Sequence, residues 1–201
     1  MAKILVTGAT GFIGQFLVKK LLNLNHEIHV LIRNKTQSDA FPSNIKIHYG
    51  DLLDLSCVLS DIEEIEVIFH LAGYAHSDTE NPELSWLINY KGTKNILDLA
   101  VSKKIPRFIY ISSVKAVADS NMCINENFNE LPSNSYGLSK RYAEDLVLNY
   151  GLQKNMHVSV LRPTLVYGVG VKGNLYKMIR LIENNRFLPV AKKNIYRSMI
   201  G

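Results

Sequence analysis

Only two cysteines, Cys57 and Cys123, and one tryptophan, Trp86, occur among the 201 residues. Two thiols are too few for a disulfide scaffold or a four-cysteine zinc site. They read as buried or idle side chains in a reducing compartment. No stretch approaches the roughly 18 consecutive apolar residues that would cross a bilayer. The opening MAKILVTGATG sets one lysine before a short apolar run, which is no secretory leader. A cytoplasmic, soluble protein with no membrane span is expected. His70 has no second histidine at ligand spacing, so no metal is expected.

A general excess of positive charge is also missing, although the formal net charge is +5. Residues 1–171 carry 16 Lys and Arg against 17 Asp and Glu, whereas residues 172–201 carry seven against one. The basicity is therefore local, which suits an anionic ligand. No aromatics interleave Lys103-Lys104 or Lys192-Lys193, so no nucleic-acid partner is expected. With 47% hydrophobic and 20% charged residues, the chain has ordinary globular composition and can bury a core without staples.

What is present is an alternation of short apolar runs with helical patterns. Lys3 to Thr7, Glu27 to Ile32, Ile45 to Tyr49, Val67 to Leu71, Arg107 to Ile111 and Val158 to Leu161 read as strands. Helical periodicity runs from Phe12 to near Asn25, around Leu53 to Ser60, over Pro82 to Ser102 and over Ser135 to Lys154. Strands that are apolar throughout and separated by helices predict a parallel sheet covered on both faces. The pattern loosens after Pro163, where Gly168, Gly170 and Gly173 punctuate the chain.

Gly8, Gly11 and Gly14 stand in TGATGFIG, between the first strand and the first helix. In that context Gly8 permits a tight turn, Gly11 lets a pyrophosphate approach the backbone, and Gly14 lets helix and strand pack closely. The anion would sit on the free amides and dipole of the helix N-terminus. NAD-binding proteins usually carry an acid after the second strand to hold the ribose 2′-hydroxyl. Here Arg33-Asn34-Lys35 follows that strand. A cation there attracts a 2′-phosphate, so NADP(H) is favoured over NAD(H). Asp51, after the third strand, is placed to accept from the adenine amino group.

Tyr136 and Lys140 are four residues apart on one predicted helix. They face one side, about 6 Å apart in rise. A free phenol has a pKa of about 10, and a neighbouring ammonium pulls it toward neutrality. Ser112 and Ser113 end the fifth strand, at the carboxyl edge where doubly wound sheets bind ligands. A hydroxyl there can bond the oxygen whose proton Tyr136 moves.

These motifs, with Gly50-Asp51-Leu52, His70-Leu71-Ala72-Gly73, Asn89, Gly92-Thr93 and Arg162-Pro163-x-x-Val166-Tyr167-Gly168, give the chain a family resemblance. It resembles the extended short-chain dehydrogenase/reductases, in the NAD-dependent epimerase/dehydratase group acting on nucleotide sugars. The resemblance implies an α/β, doubly wound parallel-sheet Rossmann fold with the start of a small C-terminal substrate lobe. Residues 1–167 would be the NAD(P)-binding domain, and 168–201 a partial, apparently truncated lobe. It implies Ser113, Tyr136 and Lys140 as catalytic residues. The cofactor would touch Gly8, Thr10, Gly11, Phe12, Ile13, Gly14, Arg33, Asn34, Asp51, Leu52, Leu71, Ala72, Gly73, Asn89, Ile111, Ser112, Tyr136, Lys140 and Pro163. Substrate would meet Ser113, Tyr136, Asn174 and Arg197. Homodimers through the Trp86 helix and the Tyr136 helix are common in such relatives.

Within the group, Ser112-Ser113-Val114-Lys115 and Tyr167-Gly168-x-Gly170-Val171-Lys172-Gly173-Asn174 look most like bacterial polysaccharide-pathway proteins. Those are UDP-glucose 4-epimerases or reductases of UDP-4-keto-6-deoxy-N-acetylhexosamines. Val117-Ala118 stands where many sugar epimerases have Tyr-Gly, and Arg33 where they commonly have an acid. Both departures point away from a strict NAD-retaining epimerase. The expectation is therefore an NADPH-dependent 4-keto-sugar reductase, with a UDP-glucose or UDP-N-acetylglucosamine 4-epimerase as the alternative. A nonenzymatic NADP-binding sensor or scaffold, or an inactive fragment, is the alternative of another class.

Overall fold

The computed structural model describes residues 1–58, 62–75, 81–118, 123–186 and 198–201. Six strands form one parallel sheet: β1 (Lys3–Thr7), β2 (Glu27–Ile32), β3 (Lys46–Tyr49), β4 (Val67–His70), β5 (Arg107–Ile111) and β6 (His157–Leu161). Their order is β3-β2-β1-β4-β5-β6, so the chain reverses direction across the sheet between β1 and β4. Ligands of doubly wound sheets bind outside the carboxyl ends at such a reversal. In register, Thr7 lies beside His70 and Leu31, which brings the loops after β1 and β4 together there.

Alternation along β1 divides the core into two layers. Leu5 points to one side with Ile96, Leu97 and Val147, and Ile4 and Val6 to the other with Val18 and Leu21. Helix α1 (Phe12–Asn23) supplies the second layer. The first is supplied by α3 (Gly92–Ser102), reached through the short α2 (Pro82–Ser85), and by α4 (Ser135–Lys154). Asn134 caps α4 by accepting from the Gly137 amide at 2.6 Å, and Asn155 ends it in the left-handed conformation at φ 50°. The helix expected around Leu53 to Ser60 is, among its described residues, a 3₁₀ segment at Ser56–Val58.

Two expectations are corrected here. The strands β2 and β3 are not apolar throughout: His29 and His48 are buried and stacked, 5.1 Å between centroids. Of the two readings of the cysteines, buried or idle, the first does not hold: Cys57 and Cys123 are exposed thiols.

By internal contacts the chain forms two compact units, Met1–Arg162 and Pro163–Gly201. The second contains α5 (Gly173–Glu183) and a parallel pair of two-residue strands, β7 (Leu165–Val166) and β8 (Met199–Ile200). Among the described residues, no helix is long and apolar enough to cross a membrane.

Candidate active site

The turn after β1 leaves no room for side chains on its inner side. Gly8 has φ +70°, and a Cβ there would lie 2.5 Å from the Ala72 amide nitrogen. Both the turn and the adjoining strand end therefore require glycine. A Cβ at Gly14 would lie 2.2 Å from the Gly8 oxygen, so α1 meets the turn backbone to backbone. At Gly11 the nearest atom is the Gly8 oxygen, at 3.1 Å, and the outer side is open. Gly11 is also the N-cap of α1, where no side chain caps the helix and no carboxylate occupies the first turn. Uncapped first-turn amides with the positive end of the dipole suit a phosphate. Thr10, Phe12 and Ile13 flank this opening, each at least partly exposed.

On the β2 and β3 side, Arg33, Asn34, Tyr49, Gly50 and Asp51 line a cleft of about 530 Å³. Lys35 stands over the Tyr49 ring, 5.9 Å from its centroid. One Asp51 oxygen accepts from the Leu53 amide at 2.8 Å, which fixes the carboxylate at the cleft edge. Leu52 is buried and packs against Gly92.

The segment Leu71-Ala72-Gly73 leaves β4 along the glycine turn. Leu71 N–H donates to the Thr7 carbonyl at 3.2 Å, and Ala72 N–H to Thr7 Oγ1 at 3.3 Å. From Thr7 a buried polar chain continues. Thr7 Oγ1 is 2.6 Å from His70 Nδ1, and His70 Nε2 is 2.9 Å from Thr93 Oγ1. Thr93 Oγ1 donates to the Asn89 carbonyl at 2.6 Å. Each hydroxyl has one proton, so these bonds assign His70 as the neutral tautomer protonated on Nε2. Burial, with a smaller contribution from the Lys140 charge, lowers the His70 pKa to about 3.

Asn89 is the far end of this chain. The helical stretch from Pro82 to Ser102 is widened into a π-helical segment over Trp86–Lys91, which carries Asn89 fully buried. Its side-chain oxygen accepts from the Tyr74 amide at 2.7 Å. Its side-chain nitrogen donates to the Tyr74 carbonyl and to Ser139 Oγ, each at 3.0 Å. One amide thus ties the loop after β4 to α4. π-Bulges concentrate at functional sites, where they aim a side chain that a regular turn would not.

At the end of β5, Ser113 Oγ accepts from the Lys115 amide at 3.2 Å, and its hydroxyl neighbours the Tyr136 phenol. Ser112 Oγ is buried with no hydrogen-bond partner. Lys140, one turn beyond Tyr136, is buried, and its Nζ donates to the Ile111 carbonyl at 2.7 Å. Burial lowers its pKa to about 7, against the raising influence of Glu144. The expected effect of Lys140 on Tyr136 is corrected by this geometry. Burial raises the Tyr136 pKa, and the neighbouring Ser113 hydroxyl is what lowers it in part. The ammonium is instead committed to Ile111 and to the face of Tyr110.

The first unit therefore brings together the glycine turn, the Arg33 cleft, residues 71–73, Asn89, Ser112, Ser113, Tyr136 and Lys140. Pro163 and Asn174 belong to the second unit, with Asn174 exposed near the start of α5. Arg197 lies outside the described residues. Thr7, Thr93, Tyr110, Glu144 and Arg162 were not singled out as site residues by the sequence. For Thr7 and Thr93 the signal was available: a polar residue at the end of an apolar strand, and another four residues after Asn89. Among the described residues, no three His, Cys, Asp or Glu side chains gather to hold a metal.

The profile of the NAD dependent epimerase/dehydratase family matches residues 4–195. A UDP-glucose 4-epimerase of Vibrio cholerae is 32% identical over 194 residues, covering 92% of this chain and 58% of the relative. A solved UDP-galactose 4-epimerase superposes with a TM-score of 0.82 at 26% identity, covering 91% of this chain and 63% of that one. A UDP-glucuronic acid 4-epimerase from Bacillus cereus, solved with UDP-glucuronic acid and NAD, gives 0.79 at 27%, covering 92% and 64%. The chain thus spans less than two thirds of the length of each.

Proposed function

This chain belongs to the NAD dependent epimerase/dehydratase family, and on that premise we propose that it serves oxidoreduction at C4 of a nucleotide-linked sugar, as a 4-epimerase. The observation that carries the reading is the arrangement at the end of β5. The Ser113 hydroxyl stands close enough to the Tyr136 phenol there to lower its pKa, one helical turn before the buried Lys140. The named relatives that share this fold are epimerases, which favours epimerisation over the net reduction expected from the sequence.

The residues fit a nicotinamide dinucleotide. The uncapped start of α1 at Gly11 would take the pyrophosphate, and the Arg33 and Asn34 cleft the adenosine ribose. The buried, unpartnered Ser112 hydroxyl is a polar atom that a bound molecule would satisfy. When bound, the nicotinamide supplies the acceptor and donor of hydride. Tyr136 takes the proton from the C4 hydroxyl and later returns it, and Ser113 bonds the same oxygen. Lys140 would hold the ribose next to the nicotinamide.

A second reading, NADPH-dependent reduction of a 4-keto sugar, is favoured by Arg33, an exposed cation lining the cleft. In that case Tyr136 would give its proton to the C4 oxygen while NADPH would supply the hydride, and neither would be returned. We carry Asn174 and Arg197 as substrate residues and Pro163 as a cofactor residue. A homodimer is proposed through the surface where Trp86 packs on Tyr142, next to the exposed Leu87. We propose the cytoplasm as its location.

Incubation with UDP-glucose and UDP-galactose, and separately with a UDP-4-keto-sugar and NADPH, tests the proposal. Interconversion without net cofactor consumption supports the epimerase. Stoichiometric NADPH oxidation supports the reductase. Dinucleotide binding with no turnover, unchanged by Tyr136→Phe, decides for a nonenzymatic module or an inactive fragment.

A further inference from the structure

Lys140 is held from several sides, and only part of that environment is its own helix. Its Nζ lies 4.4 Å from the centroid of the Tyr110 ring, over the ring face. The same nitrogen donates to the Ile111 carbonyl, one residue further along β5. A methyl placed on Gly73 would lie 3.7 Å from it, so the loop after β4 closes a third side. On α4, Glu144 is one turn beyond, its carboxylate gripped by Arg162. From β4 the neutral His70 stacks on Tyr110, 5.7 Å between centroids at 22°.

Tyr110 itself is unusual. It is fully buried, and its hydroxyl approaches Thr93 without completing a hydrogen bond. Burying a phenol without a partner for its oxygen is unfavourable, so the ring face rather than the hydroxyl accounts for an aromatic residue here. A cation desolvated over an aromatic face gains about 2 kcal/mol or more. At Lys140 that gain opposes the desolvation that would otherwise strip the proton.

We propose that Tyr110 is a positioning residue whose ring face holds the Lys140 ammonium beside Gly73 and keeps it charged. The proposal rests on the reading of Lys140 as the residue that meets the cofactor ribose. Burial has already brought the Lys140 titration close to neutral pH, so a modest change in the ring decides how much ammonium is present.

The test replaces Tyr110 by phenylalanine and then by mono-, di- and trifluorophenylalanine in the whole chain. Fluorine drains the ring face with little change of shape, so packing stays the same along the series. The Lys140 titration is read by NMR of ε-¹³C-lysine, with the signal identified from a Lys140→Met variant. The phenylalanine form keeps the midpoint of the parent protein, and each fluorine lowers it, by about one pH unit over the series. A midpoint constant across the series overturns the proposal. NADH affinity at pH 7 is measured alongside and is expected to fall about fivefold from phenylalanine to the trifluoro form. A moving midpoint with unchanged NADH affinity supports the role of the ring and overturns instead the reading of Lys140 as a cofactor ligand.

Discussion

Arg162 grips the Glu144 carboxylate through two nitrogens, Nε at 2.9 Å and Nη2 at 2.6 Å, tying the residue after β6 to the middle of α4. The two partners are unequally buried: the Glu144 side chain is 1% exposed and that of Arg162 24%. Loss of the arginine would strand a carboxylate in the core, whereas loss of the glutamate leaves a guanidinium that can turn to water. Arg162→Met is therefore expected to cost about 3–5 kcal/mol and Glu144→Gln less. The double variant should recover much of the loss from Arg162→Met, because a neutral pair strands no charge. Urea denaturation of the three variants checks the ordering. Equal losses for the two single variants would show that burial does not set the cost.

The neutral His70 makes stability depend on pH in a defined window. Its folded pKa is about 3, against an ordinary value of 6.5, because burial disfavours the imidazolium. The unfolded chain then binds a proton that the folded chain does not. Stability is complete above 6.5 and is lost as pH falls toward 3. Between pH 7 and pH 5 this one group removes about 2 kcal/mol. His29, also lowered by burial, contributes with the same sign. Comparing the pH 7 to pH 5 loss in the parent with that in His70→Asn isolates His70, since His29 is common to both. The variant is expected to lose about 2 kcal/mol less over that interval. Identical losses would mean that His70 is protonated in the folded protein.

The strands Lys3–Thr7, Glu27–Ile32 and Arg107–Ile111 and the helix Ser135–Lys154 were legible to the residue, because a buried parallel strand is a short apolar run between turns. The glycine turn and the Tyr136 and Lys140 pair were legible because their spacing is itself the structural feature. What escaped depends on the register between distant segments. His29 and His48 read as isolated polar interruptions until β2 and β3 stack them. The π-helical widening at Asn89 changes the turn without disturbing the apolar period, so periodicity passes over it. The direction of the Tyr136 shift also required coordinates. Four residues of helical spacing say that Tyr136 and Lys140 share a face, not that β5 claims the ammonium.

Gly8 and Gly11 carry the same side chain for different reasons, and alanine separates them. At Gly8 a Cβ meets backbone at 2.5 Å and φ is +70°, so Gly8→Ala is expected to lose both stability and dinucleotide binding. At Gly11 the one near atom is the Gly8 oxygen at 3.1 Å, a tight contact relieved by a small shift, so alanine is expected to cost far less there while its methyl blocks the opening at the start of α1. Gly11→Ala should keep its melting temperature within a few degrees, a change of about 1 kcal/mol or less, and weaken NADH binding at least tenfold. Calorimetry for stability and fluorescence titration for binding read the two effects separately. Undiminished binding by Gly11→Ala would remove the pyrophosphate from that turn.

Arg33 is expected to decide which dinucleotide the cleft prefers. It is exposed and lines the cleft together with Asn34, Tyr49 and Asp51. A guanidinium in that setting matches a 2′-phosphate by two parallel hydrogen bonds, whereas a 2′-hydroxyl gains little from it. Charge-assisted bonds contribute about 1.5–3 kcal/mol, so Arg33→Ser should weaken NADPH binding by about 10- to 100-fold. NADH binding should change less than threefold, because the rest of the cofactor is unaltered. Added salt should weaken NADPH more than NADH in the parent and equally in the variant, since only the phosphate contact is a charge pair. Asp51 shares the cleft and repels a phosphate, so a parent protein that binds NADH more tightly than NADPH would assign the cleft to a 2′-hydroxyl and favour the epimerase over the reductase.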